Sequence, residues 1–466
     1  MKASSKSRLR LKHWLAMLVI SVSLPLSASE KNQMLPSGEL LTMARAINIA
    51  HHNDPWLSGN ALRQQSLDSQ SIASATLPDP MVSVGLANLP VDGFDFNQEG
   101  MTQFKVGIAQ RFPRGDSLAL QQKRLATQSS QHPLLGENRK ARVAVTVAQL
   151  WLEAFRAQKS IELIENDREL FEHLVDVVQL SYSSALGRTR QQDLVRAQLE
   201  LTRLEDRLTL LHQQQEAALS RLREWLGPEL SANSVTWGHS NFTLPDVLPT
   251  IELKYPALFE DQSTFQPQRF MPYLKAHPAI KSLDQKINAS SLGIELAKQK
   301  YKPQWGVNAS YGYRGDDPMG NSRADFFSVG VTFDLPIFTS NRQDKMVQSA
   351  IADTEAVKTE KWLALRKMLA TLETDSARLA RLDQRLYLYH SRLLQEMHEQ
   401  AEASLTAYTN DDGDFSEVVR ARIAELNARI DVLKIEIDRL KTVVNLNYFF
   451  TQNPSQTDNN SAGETL

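Results

Sequence analysis

The 466-residue chain contains no cysteine. Exported proteins commonly use disulfides; none can form here, and the acylated N-terminal cysteine that anchors bacterial lipoproteins is excluded with them. Beyond its first thirty residues the sequence also lacks an apolar run of 18 residues, so no helix of a mature chain is expected to cross a bilayer. Charge of one sign is not in excess: the formal net charge is −2, and nothing basic suggests a nucleic-acid partner. There is no phosphate-binding loop and no acid–His–nucleophile pattern, so no enzyme and no cofactor are expected. The adjacent pair His51-His52 would point about 100° apart on a helix, which makes surface positions the expectation and a metal site not. Proline is missing from 134–227 and from 337–453, leaving both stretches free to be very long helices.

What is present begins with Lys2, Lys6, Arg8, Arg10 and Lys12, an apolar core from Trp14 to Leu26, and the small residues Ser27, Ala28 and Ser29. This order reads as a secretory signal over residues 1–29, cut near Ala28 or Ser29. Its removal takes five positive charges and no acid, moving the net charge from −2 to −7.

The sequence then repeats itself. Pro55 and Pro278, Pro80 and Pro303, Phe104 and Phe327, Gly107 and Gly330, and Pro113 and Pro336 are all 223 positions apart. Tyr182 and Gly187 match Tyr408 and Gly413 at 226, and Val195-Arg196-Ala197 match Val419-Arg420-Ala421 at 224. A unit at 37–226 is thus duplicated at 273–449, across a proline-rich linker at 227–272 that excludes a long helix, with a tail at 450–466.

Each unit holds two stretches alternating apolar with small or polar residues, at about 80–90 and 102–113, then at about 303–313 and 326–336. Period-two alternation marks strands with one apolar face. Their length of about ten residues suits a tilted bilayer-crossing strand, and the Gly, Ser, Asn and Thr opposite suit a watery lumen. Trp305, Tyr311, Tyr313, Phe112 and Phe333 lie toward the strand ends, where interfacial girdles sit. Four strands cannot close a barrel, and open edges in lipid cost several kcal/mol per unpaired group. At least two protomers are needed, and three would give twelve strands.

Long helices are expected at about 115–182, 193–226, 339–408 and 416–449. Val143, Leu150, Ala157, Ile164, Phe171 and Val178 recur every seventh residue, as do Leu194, Leu201, Leu208 and Leu222, and Ile423, Ile430, Ile437 and Val444. A sustained heptad is a coiled-coil seam.

In the order and duplication of these parts the chain resembles outer-membrane efflux proteins of the TolC type. The residues that carry the likeness are the strand ends "QRFPRG" and "FDLPIFTSNRQDKM" and the turns "YSSALGRTRQQDLVRAQ" and "YTNDDGDFSEVVRARIAEL". It implies a mixed α and β fold: a homotrimer whose twelve-stranded barrel crosses the outer membrane of a Gram-negative bacterium and continues into a periplasmic α-helical barrel, with 227–272 and the tail as a belt. It also implies a periplasmic adaptor and an inner-membrane pump, proton-driven, as partners, besides outer-membrane lipid. The stretch 77–103 resembles most the branch that serves heavy-metal efflux. A duct for protein secretion and a soluble periplasmic coiled-coil adaptor are the alternatives.

By the same resemblance, adaptor docking maps to the turn residues Leu186, Gly187, Arg188 and Gly413, where a helix C-cap would also ask for glycine with a positive φ. The periplasmic gate maps to Glu417 and Arg420, one acid and one base where the family pattern has acids. Asp411, Asp412 and Asp414 stand nearby, and threefold symmetry would gather nine such carboxylates at one rim, a negative mouth favouring cations.

Overall fold

The computed structural model describes residues 40–183, 191–227, 242–260, 265–410 and 412–452; the signal expected at 1–29 lies outside them. In chain order it contains α1 (Met43–His52), α2 (Pro55–Ser74), β1 (Met81–Ala87), β2 (Gln103–Phe112), α3 (Ser117–Ser129), α4 (Gln131–Ser183) and α5 (Gln191–Leu226). α6 (Pro267–Ala276) runs from the end of the linker into the second unit, which supplies α7 (Pro278–Lys298), β3 (Trp305–Tyr313), β4 (Phe326–Phe333), α8 (Gln343–Leu388), α9 (Leu394–Thr409) and α10 (Phe415–Tyr448).

The paired prolines Pro55 and Pro278 open α2 and α7, helices that the strand and heptad patterns leave unmarked. Proline suits the first helical position, where its missing N–H would have no partner anyway. Each is preceded by a capping side chain: Asp54 accepts from the Trp56 N–H at 3.1 Å, and His277 Nδ1 accepts from the Ala279 N–H at 3.2 Å. The duplication keeps the cap and changes its chemistry. Asp54 is held by Arg139, Nε to Oδ2 at 2.7 Å, whose guanidinium lies over the rings of Trp56 and Trp225. His277 is fully buried and donates its Nε2–H to the Tyr448 carbonyl at 3.0 Å.

The four strands form one antiparallel sheet in the order β1-β2-β3-β4. Next to it α2, α3, α7 and α8 pack side by side in that order; farther away α4 lies between α5 and α10, and α10 between α4 and the α8–α9 rod. The heptad positions are the seams. Val143, Ala157, Ile164, Phe171 and Val178 of α4 are buried against α5 and α10, as are Leu204, Leu208, Leu426 and Ile430 from the facing helices.

Several boundaries differ from the sequence expectation: the strand expected at about 303–313 starts at Trp305, and the one expected at about 326–336 ends at Phe333. The helix expected over 115–182 breaks at Ser130, because Pro133 has no N–H for the Ser129 carbonyl and its ring crowds that group. The strand expected over 80–90 ends at Ala87, where Asn88 turns to a φ of 56°. The helix expected over 339–408 starts at Gln343 and widens to a π turn at Tyr389–Leu393. This is the stretch over which the offset between copies grows from 223 to 226, and a wide turn lets a helix take in surplus residues without breaking.

The linker lies along the helices. The Leu41 N–H donates to the Thr243 carbonyl at 2.8 Å, and Leu244, Leu248 and Ile251 pack on the core around Trp151, whose indole N–H bonds to the Leu41 carbonyl at 2.8 Å. Farther along, Tyr255, Leu258 and Phe259 join Phe270, Phe449 and Phe450. The proline-rich end of the linker does form a helix, the ten-residue α6, but a short one with Pro267 in its first turn.

Burial pushes the His277 pKa down to about 4, with Arg142 adding to the effect and the hydrogen bond to Tyr448 opposing it. The unfolded chain takes up this proton near pH 6.5 and the folded chain only near 4, so between those values stability falls as pH falls. The histidine accounts for about 3 kcal/mol of that loss per protomer, complete near pH 4 and absent above pH 7. In thermal melts at pH 4.5 and 7.5, His277→Asn, which keeps a capping oxygen, is expected to lose less stability on acidification than the unaltered protein. Equal losses would show that His277 is not a source of acid lability.

Candidate functional site

The register sorts the strand residues into an apolar face and a mostly small or polar face, with Gln110 the exception on the first and Met81 and Phe326 the exceptions on the second. On one face the cross-strand rows read Leu86, Phe104, Tyr313; Val84, Val106, Tyr311, Phe327; Val82, Ile108, Ala309, Val329; Gln110, Val307, Val331; and Phe112, Trp305, Phe333. On the other they read Ala87, Gln103; Gly85, Lys105, Gly312, Phe326; Ser83, Gly107, Ser310, Ser328; Met81, Ala109, Asn308, Gly330; and Arg111, Gly306, Thr332. A packed sheet would cover the first face. Here it is bare: Val82 is 68% exposed, Val329 63% and Phe327 72%. The aromatic rings gather in two bands at the ends of that face, with Trp305 and Phe333 centroids 4.9 Å apart in the band nearest the helices. A bare apolar band between aromatic belts is a surface made for hydrocarbon.

Where strands meet helices, Arg114 ties the two copies together. Its guanidinium donates to the Lys302 carbonyl at 2.8 Å and pairs with Asp334, and Asp334 accepts the Gln304 N–H at 2.7 Å. The end of β2 is thereby fixed to the start of β3 and the end of β4. The next residue, Gly115, takes a φ of +44° to turn the chain into α3, a conformation that asks for glycine.

At the opposite end, Asp414 caps α10 by accepting from the Ser416 N–H at 3.0 Å, and the Asp412 N–H donates to the Ala407 carbonyl at 2.9 Å. Gly413 does not carry the positive φ that a C-cap glycine would have. It is required for space: a Cβ there would stand 2.8 Å from the Tyr408 backbone nitrogen. Asp412, Asp414, Glu417 and Arg420 are brought together on this turn and the start of α10, all exposed; Glu417 and Arg420 are not ion-paired to each other within the protomer. Leu186, Gly187, Arg188 and Asp411 lie outside the described residues. Of the adjacent histidines, His52 is exposed, whereas His51 is half-buried and bonds through Nε2 to the Lys140 carbonyl at 2.8 Å, so only one of the two sits on the surface as the sequence suggested.

One and two turns further along α10 is a charge cluster that the sequence reading passed over. Glu425 and Arg422 are buried, paired at 3.0 Å, and Arg422 also reaches Glu402 at 2.5 Å. Glu425 accepts from His398 Nδ1 at 2.8 Å and from Arg429 at 2.5 Å, and Arg429 reaches Asp167 of α4 at 3.3 Å. Burial alone would raise the Glu425 carboxyl; the hydrogen bonds from His398, Arg429 and Arg422 outweigh it and hold the pKa below the ordinary carboxylate value. The cluster thus joins α9, α10 and α4. Its sequence signal is an Arg–Glu pair three residues apart and next to the heptad seam, where ordinary surface charges would be farther round the helix.

No family model and no curated protein matches the sequence. Solved structures do match the fold. The outer-membrane channel OprN superposes with a TM-score of 0.70 at 14% identity, over 88% of this chain and 90% of its own. The CmeC outer membrane channel of Campylobacter jejuni gives 0.69 at 13% identity, over 90% of this chain and 89% of its own. CusC, crystallised to follow folding and transmembrane channel formation, gives 0.67 at 14% identity, over 88% and 91%. The fold is that of the TolC-type outer-membrane channels. At these identities the likeness concerns architecture alone.

Removing one member of a buried ion pair strands its partner and costs about 3 kcal/mol. Glu425→Gln is therefore expected to raise amide exchange in α9 and the first half of α10 by roughly a hundredfold. Glu417→Gln, at an exposed position, should leave it unchanged. Equal exchange in both variants would show that the cluster does not hold the helical tip together.

Proposed function

We propose that three copies of this chain form an exit duct in the outer membrane of a Gram-negative bacterium, serving a tripartite efflux pump. The observation that carries the reading is the sheet itself: four strands with an apolar face that nothing among the described residues covers, and two edges that nothing among the described residues pairs. Three such sheets closed edge to edge give twelve strands and leave no backbone group unpaired in lipid. The helical part supports the same closure. Its outermost members, α5 and α8, keep Val195, Leu199 and Leu210, and Trp362, Leu363 and Tyr387, exposed on the protomer. These are side chains that a neighbouring protomer would cover. A soluble coiled-coil protein would have no use for the sheet.

The helical tips then reach into the periplasm, where the turn at Gly413 and its counterpart at Leu186, Gly187 and Arg188 receive an adaptor that brings a proton-driven inner-membrane pump. Glu417, Arg420 and the aspartates 411, 412 and 414 line the narrow periplasmic mouth. Heavy-metal cations are the finer reading of the cargo, supported by the resemblance of 77–103. Among the described residues no group of three or more acidic, His or Cys side chains is placed to hold a metal ion, so cations would be favoured by field and not by ligation. The strand positions on the lining face carry Lys105 and Arg111 and no acid, which supports the tips as the source of any preference for cations.

In planar bilayers the purified protein is expected to conduct and to prefer cations over anions. Replacing Asp411, Asp412 and Asp414 together by lysine should abolish or reverse that preference with conduction retained. A protein that never conducts contradicts the duct. A triple variant with an unaltered reversal potential contradicts the acidic mouth alone.

A further inference from the structure

β1 and β4 form the two edges of the sheet. The internal duplication says what belongs on them. β4 repeats β2, through Phe104 and Phe327, Gly107 and Gly330, and Pro113 and Pro336; β3 repeats β1, through Pro80 and Pro303. The protomer holds one junction between the copies, β2 against β3, in which Ile108 faces Ala309, Ala109 faces Asn308 and Gln110 faces Val307. We propose that this junction recurs between protomers, with β4 of one copy paired to β1 of the next in the transposed register. Shifting each side by 223 sets Val331 opposite Leu86, Thr332 opposite Gly85, and Phe333 opposite Val84 of the next protomer. The proposal deepens the reading of the chain as a homotrimeric barrel and rests on it.

Two independent features agree with this register. The first is facial parity. Val331 and Phe333 lie on the apolar face with Leu86 and Val84, and Thr332 lies on the polar face with Gly85, so the seam continues both surfaces without a fault. A slip by one residue would turn the apolar set of one strand into the lumen.

The second is closure. Carried on from the paired residues, Pro80 falls opposite Gln110, three residues short of Pro113; Pro113 falls opposite Gln304, one short of Pro303; and Pro303 falls opposite Leu335, one short of Pro336. All three steps have the same sense, as strands tilted in a barrel require. The transposed seam adds one more step of one residue, which makes six per protomer and eighteen around three. With twelve strands that stagger corresponds to a tilt of about 45°, at the upper end of the usual range. Slipping the seam by two residues in the same sense raises the tilt to about 54°, outside it, whereas the opposite slip lowers it to about 35°, at the lower end of the range, so closure excludes the first slip and the transposed junction selects against the second. The seam has to be specified with this care because the first hairpin is itself displaced by two residues relative to the second: Ser83 faces Gly107, whereas Asn308 faces Gly330.

The absence of cysteine makes the test clean. The full-length protein would be made in outer membranes with the pairs Thr332→Cys with Gly85→Cys, and Val331→Cys with Leu86→Cys. Two comparators, Thr332→Cys with Ser83→Cys and Thr332→Cys with Ala87→Cys, shift the register by two residues either way. After treatment with an oxidant or a short bis-thiol reagent, denaturing gels report covalent dimers and trimers. β2 and β3 separate the two cysteines within one chain, so every link is between protomers. The proposed pairs are expected to link at least about fivefold more than the comparators, since directly opposed side chains are the close ones. The second pair reads the same register if Gly85→Cys disturbs folding. Preferential linking of either comparator overturns the register while leaving the trimeric duct standing. No linking by any pair in a particle that still sizes as a trimer overturns the seam, and no linking in a monomeric particle overturns the duct reading as well.

Discussion

The backbone of a β-strand in hydrocarbon must have every N–H and C=O paired, and no water is available to substitute. On the proposed reading of this chain as an outer-membrane duct, the design of its sheet follows from how that constraint is met. Four strands are too few to close on themselves, so the protomer is built incomplete, with its apolar face outward and its edges open. The side chains that would fill the core of a soluble sheet are replaced on the inner face by glycine, serine, asparagine and threonine. What stands outside the sheet is made to keep the strands in line: the prolines at the strand ends, the turn at Gly115, and the Arg114–Asp334 pair that fastens one copy to the other.

Duplication lowers the demands on the sequence, because one unit solves the geometry of strand pair and helical hairpin and its copy inherits the solution. The two copies have nevertheless parted where chemistry allows. The same helix start is capped by an aspartate in one and a histidine in the other. The first cap is an ion pair stacked on two tryptophans; the second is a neutral ring whose burial forbids a proton. The helical tips have diverged as well, with the His398–Glu425–Arg422–Glu402 cluster standing on α9 and α10 of the second unit.

Much of the architecture could be read from the residues. The period of two in 303–313 and the heptads in 143–178 are direct imprints of a sheet face and a helical seam, and both patterns match the buried and bare surfaces of the structure. The short helices α1, α2, α6 and α7 were less legible because their apolar stripes are interrupted, although Asp54-Pro55 and His277-Pro278 mark two of their starts. The break at Ser130 was announced by Pro133 and was missed by looking only at the proline-free stretch that follows. At the tip, Gly413 was marked by the turn motif, and the C-cap reading of it does not hold: the position needs the absence of a side chain, not a left-handed backbone, and crowding against a neighbouring turn leaves no mark in one sequence. The buried Arg422 and Glu425 were overlooked for Glu417 and Arg420 because a motif fixes position along a helix, whereas burial depends on which face the neighbouring helix covers.

The central claim is that both open edges of the sheet are sealed by other copies of the chain. Hydrogen–deuterium exchange of the detergent-solubilised protein addresses it most directly, through the backbone amides of β1 and β4. Sealed edges predict protection in β1 and β4 equal to that of the inner strands β2 and β3. Exchange in the outward amides of β1 and β4 as fast as in the polar loops at 91–101 and 314–325 would mean that the edges stand open, and the account would be wrong.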